Sequence, residues 1–284
     1  MRLIHSSSEM QQISLSLKKE GKKIGFVPTM GYLHQGHISL VKESKKKTDI
    51  TIVSIFVNPT QFAPNEDLNK YPRDMERDND LLSSEGVDIV FFPSTADMYP
   101  PEFQTYVNVE KVTMEFEGAI RPTHFRGVST VVAKLFNIVL PDYAFFGQKD
   151  AQQSVVIKRM VKDLCFPVKI KICPIIREED GLAMSSRNIY LAGEERTDAL
   201  VLSKSLTLAE SLIYHKGERS CKTIVDAMTE LYKNVESAEL QYIKIVNEIS
   251  FKEVENLDAG SKYFVLIACK IGNTRLIDNS HISL

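Results

Sequence analysis

What this 284-residue chain lacks narrows its chemistry before any motif is considered. Net charge is nearly absent: 35 Lys and Arg stand against 37 Asp and Glu, a balance of -2. A large basic field, the footprint of proteins whose main partner is nucleic acid or an anionic membrane, is therefore missing. Local positive charge remains available, which suits small anionic metabolites. Cysteines are few, and Cys165, Cys173, Cys221 and Cys269 stand far apart, in no metal-type pair and in or beside apolar runs. Reduced core thiols in a cytoplasmic protein are expected. Met1-Arg2-Leu3-Ile4-His5 opens no signal-like apolar stretch, and no run approaches the length of a membrane span. Repeats and low-complexity tracts are also missing. Against these absences stands a 43% hydrophobic content in a length comfortable for two domains.

Apolar β-rich runs alternate with helical patterns through the first part of the chain. Residues 24 to 27 read as a strand broken by Pro28 and Gly31, 38 to 47 as a helix, 50 to 57 as a strand, 74 to 85 as a helix and 87 to 92 as a strand. Val128, Val131, Val132, Leu135, Phe136 and Val139 recur at helical spacing, and strands are expected over 143 to 146 and 168 to 173 with another helix between them. Such βαβ punctuation predicts a doubly wound, Rossmann-like parallel sheet over residues 1 to 176. The texture then changes to a charged loop, helices over 194 to 215 and 220 to 235, and strands over 240 to 247, 263 to 271 and 275 to 278. That is a smaller α+β domain, 177 to 284, expected to serve as a lid on the catalytic domain. In doubly wound sheets ligands sit beyond the carboxyl ends of the strands, so motifs that directly follow strands gain weight.

The first such motif is Met30-Gly31-Tyr32-Leu33-His34-Gln35-Gly36-His37, where a strand turns into a helix. Helix N-termini favour anions through unpaired N–H groups and the macrodipole. His34 and His37, one turn apart, can lie on the same side of that opening turn, and Gly36 lets backbone approach a phosphate between them. A triphosphate is the natural guest. Two histidines could also be half of a zinc site, but no Cys or Glu stands nearby at an accepted spacing.

Three further stretches carry candidate chemistry. Gln61, in Asn58-Pro59-Thr60-Gln61-Phe62, belongs at the same sheet edge; Asn-Pro is equally a plain strand-ending turn. Phe146-Gly147-Gln148-Lys149-Asp150 also ends a strand: Gly147 permits close backbone approach, Lys149 can neutralise phosphate oxygens, and Asp150 can cap the helix or accept a ribose hydroxyl. Gln153 follows one turn on. Met184-Ser185-Ser186-Arg187 places two hydroxyls and a guanidinium in a mobile loop that can close over a triphosphate, though such a string is common on surfaces. His124 and Arg126 offer an anion contact, a dimer contact or a solvated loop. Asp74, Glu76 and Asp78 begin a helix, with Asp78 a candidate contact for hydrated Mg2+.

Taken in order, these motifs, with Tyr71-Pro72-Arg73, His124-Phe125-Arg126-Gly127-Val128, Gln152-Gln153 and Asn188, closely resemble the pantoate:β-alanine ligases. The His-x-Gly-His element alone marks only the wider nucleotidyltransferase superfamily. Where its synthetases carry Lys-Met-Ser-Lys-Ser, this chain has Met-Ser-Ser-Arg, so Arg187 takes the second lysine's role. The resemblance implies that ATP and pantoate form a pantoyl adenylate, which β-alanine then attacks to release AMP. It further implies ATP contacts at residues 30 to 37, at Gly147, Gln148, Lys149 and Asp150, at Ile176, and at Met184, Ser185, Ser186 and Arg187. His34, His37, Lys149 and Arg187 would be catalytic, with His37 a proton donor. Gln61 would hold pantoate and β-alanine, and Gln153 pantoate. Mg2+ on the phosphates and a homodimer also follow from the resemblance. Two rivals remain open: a nucleotidyltransferase acting on a phosphorylated alcohol, whose product keeps a phosphoanhydride, and a nucleotide-sensing module without turnover.

Overall fold

The computed structural model describes every residue of the chain except Asn65. Its strands are β1 (Arg2–Ile4), β2 (Ile24–Thr29), β3 (Ile50–Ile55), β4 (Ile89–Phe91), β5 (Tyr143–Gly147), β6 (Lys169–Cys173), β7 (Ala238–Asn247), β8 (Lys262–Ile271) and β9 (Thr274–Ser283). The helices are α1 (Ser7–Lys19), α2 (Gln35–Lys47), α3 (Met75–Ser84), α4 (Thr95–Met98), α5 (Glu117–Ile120), α6 (His124–Val139), α7 (Ala151–Asp163), α8 (Glu194–Asp198), α9 (Leu200–Glu210) and α10 (Cys221–Tyr232). Two compact units result, one of residues 1 to 147 with 152 to 174, the other of 148 to 151 with 175 to 284. A single cut at residue 176 does not foresee that the turn carrying Lys149 belongs with the second unit.

In the first unit a parallel sheet runs β1-β4-β3-β2-β5-β6. Strand order reverses between β2 and β5, the switch point at which such sheets bind ligands. Alternation along each strand sorts side chains onto two faces. Phe26, Ile52, Phe91, Ala144 and Phe146 join one core with Val128, Val132 and Phe136 of α6, whereas Val27, Val53, Val90 and Phe145 join the other with Ile38 and Val41 of α2 and Leu82 of α3. Helices therefore cover both faces, and the sheet is doubly wound as the βαβ texture predicts.

Several local expectations need correction. Pro28 lies inside β2, paired with Ser54 of β3, and does not break it. On its other side β2 meets β5 only at Gly25 and Phe26, so the N–H that proline lacks falls beyond that ladder. Helix α2 starts at Gln35, not at residue 38, because a cap draws the motif itself into the first turn. β1 and α1 escape sequence reading: three residues carry too little pattern for a strand, and polar Ser and Gln dilute the α1 stripe, of which Met10 and Ser14 are buried. Cys165 is exposed, so only Cys173, Cys221 and Cys269 are core thiols.

The second unit is an antiparallel sheet, β7-β8-β9, with α9 and α10 packed on one face through Leu202, Leu206, Ile224 and Met228 against Val265, Ile267 and Cys269. Its third strand runs to Ser283, well past the expected end at residue 278.

Candidate active site

The loop between β2 and α2 is built around Asp78. This carboxylate, 1% exposed, accepts the backbone N–H groups of Tyr32 and Leu33, each at 2.7 Å. It thereby holds two consecutive left-handed residues, Gly31 (φ +84°) and Tyr32 (φ +49°). A Cβ on Gly31 would lie 3.0 Å from Ile55 Cγ2 and 3.1 Å from Asp78 Oδ2, so space and torsion both demand glycine. The neighbouring Arg77 donates to Leu33 O at 2.9 Å and stacks 4.9 Å above the Tyr32 ring. Burial pulls the Asp78 carboxyl above its usual range, against the two amides and Arg77. Both oxygens are committed to the backbone, so Asp78 braces the loop and is not shaped as a metal ligand. Among the described residues no group of three or more His, Cys, Asp or Glu is gathered as a metal cage.

The two imidazoles close a capping box on α2. His34 is the N-cap, its Nδ1 accepting Gly36 N–H at 3.1 Å, while His37 Nδ1 accepts His34 N–H at 3.3 Å. Each Nδ1 is an acceptor and bears no hydrogen, which places the proton of each neutral ring on Nε2. The ring centroids stand 4.1 Å apart. Sequence spacing suggested the shared turn; the reciprocal cap, and with it the tautomer, requires the fold.

Gln61 ends a 3-10 turn, Pro59–Gln61, directly after β3. Its Nε2 donates to Met30 Sδ at 2.9 Å, joining it to the β2–α2 loop as expected, and its Oε1 accepts Asn58 Nδ2 at 3.2 Å. Asn58, 1% exposed, is the hub: its Nδ2 also donates to Gly127 O at 3.2 Å and its Oδ1 accepts the Tyr99 hydroxyl at 2.8 Å. The backbone of Gln61 is fixed from α6. His124 Nδ1 lies 2.9 Å from Gln61 O, and a Cβ on Gly127 would fall 2.3 Å from Thr60 O. Behind His124 stands Arg121, at 3.3 Å from its Nε2, forked onto Glu66 by two bonds of 2.6 Å. Since an arginine can only donate, Nε2 accepts and Nδ1–H donates to the Gln61 carbonyl. Burial first, then the Arg121 charge, hold the His124 pKa down at about 4. His124 is thus a neutral inward donor, not the anion contact that its sequence neighbourhood offered; Arg126 stacks 4.1 Å above the Tyr106 ring. Gln153 is half-buried on the first turn of α7, while its neighbour Gln152 donates to Val112 O and Glu115 O and accepts Glu117 N–H.

The second unit gathers the remaining candidates. Gln148, Lys149 and Asp150 form the turn after β5, and around Gly147 there is open space, with nothing within 4 Å of an added Cβ. Ile176 O accepts Met184 N–H at 3.0 Å, and Arg177 bridges to Ala183. Ser185 caps the 3-10 turn Ser186–Tyr190, its Oγ accepting Arg187 N–H at 3.2 Å. Asn188 Nδ2 donates to Glu178 Oε1 at 2.7 Å, and Arg196 pairs with Glu178 and Asp180 at 2.8 Å each. The Ser-Ser-Arg string thus carries a local cap at Ser185 and a side-chain tie through the adjoining Asn188. The links of Asn58 to Tyr99 and Gly127 and of Arg121 to Glu66 were not foreseen, because those partners are remote in sequence.

A family model described as Pantoate-beta-alanine ligase matches residues 2–281. The chain is 56% identical over 279 residues to a pantothenate synthetase of Caldicellulosiruptor saccharolyticus, covering 98% of each, and 53% identical over 280 residues to one of Pseudothermotoga lettingae, covering 99% of this chain and 98% of that protein. Among solved structures it is similar to pantothenate synthetase from Thermus thermophilus, with a TM-score of 0.93 at 42% identity and full coverage of both chains. It is also similar to pantoate-beta-alanine ligase from Francisella tularensis complexed with beta-gamma ATP and beta-alanine, with a TM-score of 0.80 at 37% identity, covering 99% of this chain and 97% of that one.

Proposed function

The chain belongs to the pantoate-β-alanine ligase family, and we propose that it condenses pantoate with β-alanine, driven by ATP, through a pantoyl adenylate. A pantoate carboxylate oxygen attacks the α-phosphorus, the bond to the bridging oxygen breaks, and pyrophosphate leaves with the electron pair. The β-alanine amine then attacks the acyl carbon, AMP departs, and the amine gives up its proton as the amide forms.

One observation carries the assignment of residues. The His34–His37 loop and Gln61 follow β2 and β3, and the Lys149 turn follows β5, all at carboxyl ends of parallel strands around the switch point. His34 and His37, as neutral rings with Nε2–H, donate to phosphate oxygens where negative charge grows. The capping box uses the neutral ring, since a proton on Nδ1 would face an N–H; His37 therefore acts as a hydrogen-bond donor more than as an imidazolium acid. Lys149, Ser185, Ser186 and Arg187 add charge and donors for the phosphates, and Asp150 takes the ribose. Gln61 and Gln153 orient pantoate through neutral amides, which leave its carboxylate nucleophilic. Mg2+ would come with the nucleotide and would supply charge neutralisation on its phosphates. A homodimer and a cytoplasmic location belong to the same proposal.

The test is exchange of labelled pyrophosphate into ATP. Exchange that requires pantoate, with β-alanine then releasing AMP and pantothenate in equal amounts, is expected. Exchange without pantoate would assign another acid, and ATP binding without exchange would leave a nucleotide sensor.

A further inference from the structure

We propose that Asn279, a buried residue of the C-terminal strand β9, is the positioning residue for Lys149. This rests on the proposed role of Lys149 at the ATP phosphates. Asn279 is 2% exposed. Its Nδ2 donates to the carbonyls of two consecutive residues, Gln148 at 3.0 Å and Lys149 at 2.9 Å, and its Oδ1 accepts from Gln148 Nε2 at 3.2 Å. Consecutive carbonyls point to opposite sides of an extended strand, so two on one amide fix the backbone in a turn at the root of the Lys149 side chain. Both amide hydrogens and the amide oxygen are committed to that turn.

The clasp has a rigid footing. Asn279, on the edge strand β9, pairs with Leu266 of the central strand β8. Its own N–H donates to Asp278 Oδ1 at 2.8 Å. Asp278, 3% exposed, is forked by Arg177 at 2.7 and 3.1 Å, and Arg177 also donates to Gly181 O at 3.0 Å. Adjacent residues of β9 thus brace the Lys149 turn and the segment that leads to Ser185, Ser186 and Arg187. A long, flexible lysine on a loose turn would occupy many positions, and a misplacement near 1 Å can cost about 10²-fold in rate. The second unit thus contributes the seat of a proposed catalytic cation.

A double-mutant cycle tests this with pantoate-dependent pyrophosphate exchange, thermal melting and the KM for pantoate. Asn279→Ala is expected to lower kcat by roughly 10²-fold, with little change in the KM for pantoate, whereas in a Lys149→Met background it costs nothing more. A normal kcat in Asn279→Ala, with or without a lower melting temperature, overturns the proposal, as does an undiminished loss in the Lys149→Met background. If Lys149→Met alone retains full exchange, the assignment of Lys149 fails, a separate result. Should the alanine variant not fold, Asn279→Ser, whose hydroxyl donates one bond in place of two, carries the same comparison in both backgrounds.

Discussion

Replacing Asp78 by asparagine separates a brace from a metal ligand. In the parent, two carboxylate oxygens each accept a backbone N–H at 2.7 Å inside a site that is 1% exposed. Asparagine keeps one acceptor and turns an NH2 toward the other amide. The loss comprises one charge-assisted bond, about 1.5–3 kcal/mol, and one buried N–H without an acceptor, about 1–3 kcal/mol. Burial already resists the Asp78 charge, and neutralising it returns part of that. A net destabilisation of about 2–4 kcal/mol follows, a serious fraction of the roughly 5–15 kcal/mol that holds a domain together. Tyr32 at φ +49° then relaxes, and His34 and His37 move with it. Pyrophosphate exchange should fall by roughly 10²-fold. The decisive assay repeats the exchange at rising Mg2+ beside urea melts. A brace predicts weakened folding and activity that extra Mg2+ does not recover. Parent-like melting with exchange restored at high Mg2+ would refute this reasoning and return Asp78 to the metal.

Gly127→Ala should push the N-terminus of α6 off the Pro59–Gln61 turn, since the new methyl would stand 2.3 Å from Thr60 O and 2.7 Å from Gln61 Cα. A destabilisation of about 1–3 kcal/mol and a raised KM for pantoate are expected, and an unchanged KM would show that Gln61 does not hold pantoate. Acid stability should report on His124. Its folded pKa near 4 lies below the unfolded value, so the unfolded chain binds the extra proton and stability falls as pH drops from about 6.5 to 4, by about 3 kcal/mol in all. An asparagine at this position cannot titrate, and so urea melts of His124→Asn should lack that share of the pH slope; an identical slope in both proteins would contradict the assignment.

The sheet was legible because its strands, buried on both faces, stand out as short apolar runs in β2, β3, β4 and β5. Candidate residues adjoining strand ends were legible for the same reason: a run such as residues 30 to 37 declares both its strand and its helix. What stayed hidden is orientation. The imidazole tautomers depend on which backbone amides the cap presents. The neutrality of His124, the first residue of α6, depends first on burial and then on Arg121, and burial leaves no local pattern. Asn279 is an ordinary polar residue in a strand until the turn carrying Lys149 is laid against it. Pro28 misled for a related reason: its missing N–H matters only if a neighbour is there to ask for it, and β5 is not.

The unequal borders of β2 also bear on how the chain matures. Its ladder with β3 spans Ile24 to Thr29 and closes early, across a single helix, while its opposite border waits for Tyr143 and Ala144. Throughout synthesis of the intervening segment that border offers unsatisfied main-chain groups to any passing strand. Joining it is the least local pairing of the sheet, the kind that forms late. A nascent chain arrested short of Tyr143 would present that half-sheet border to its neighbours.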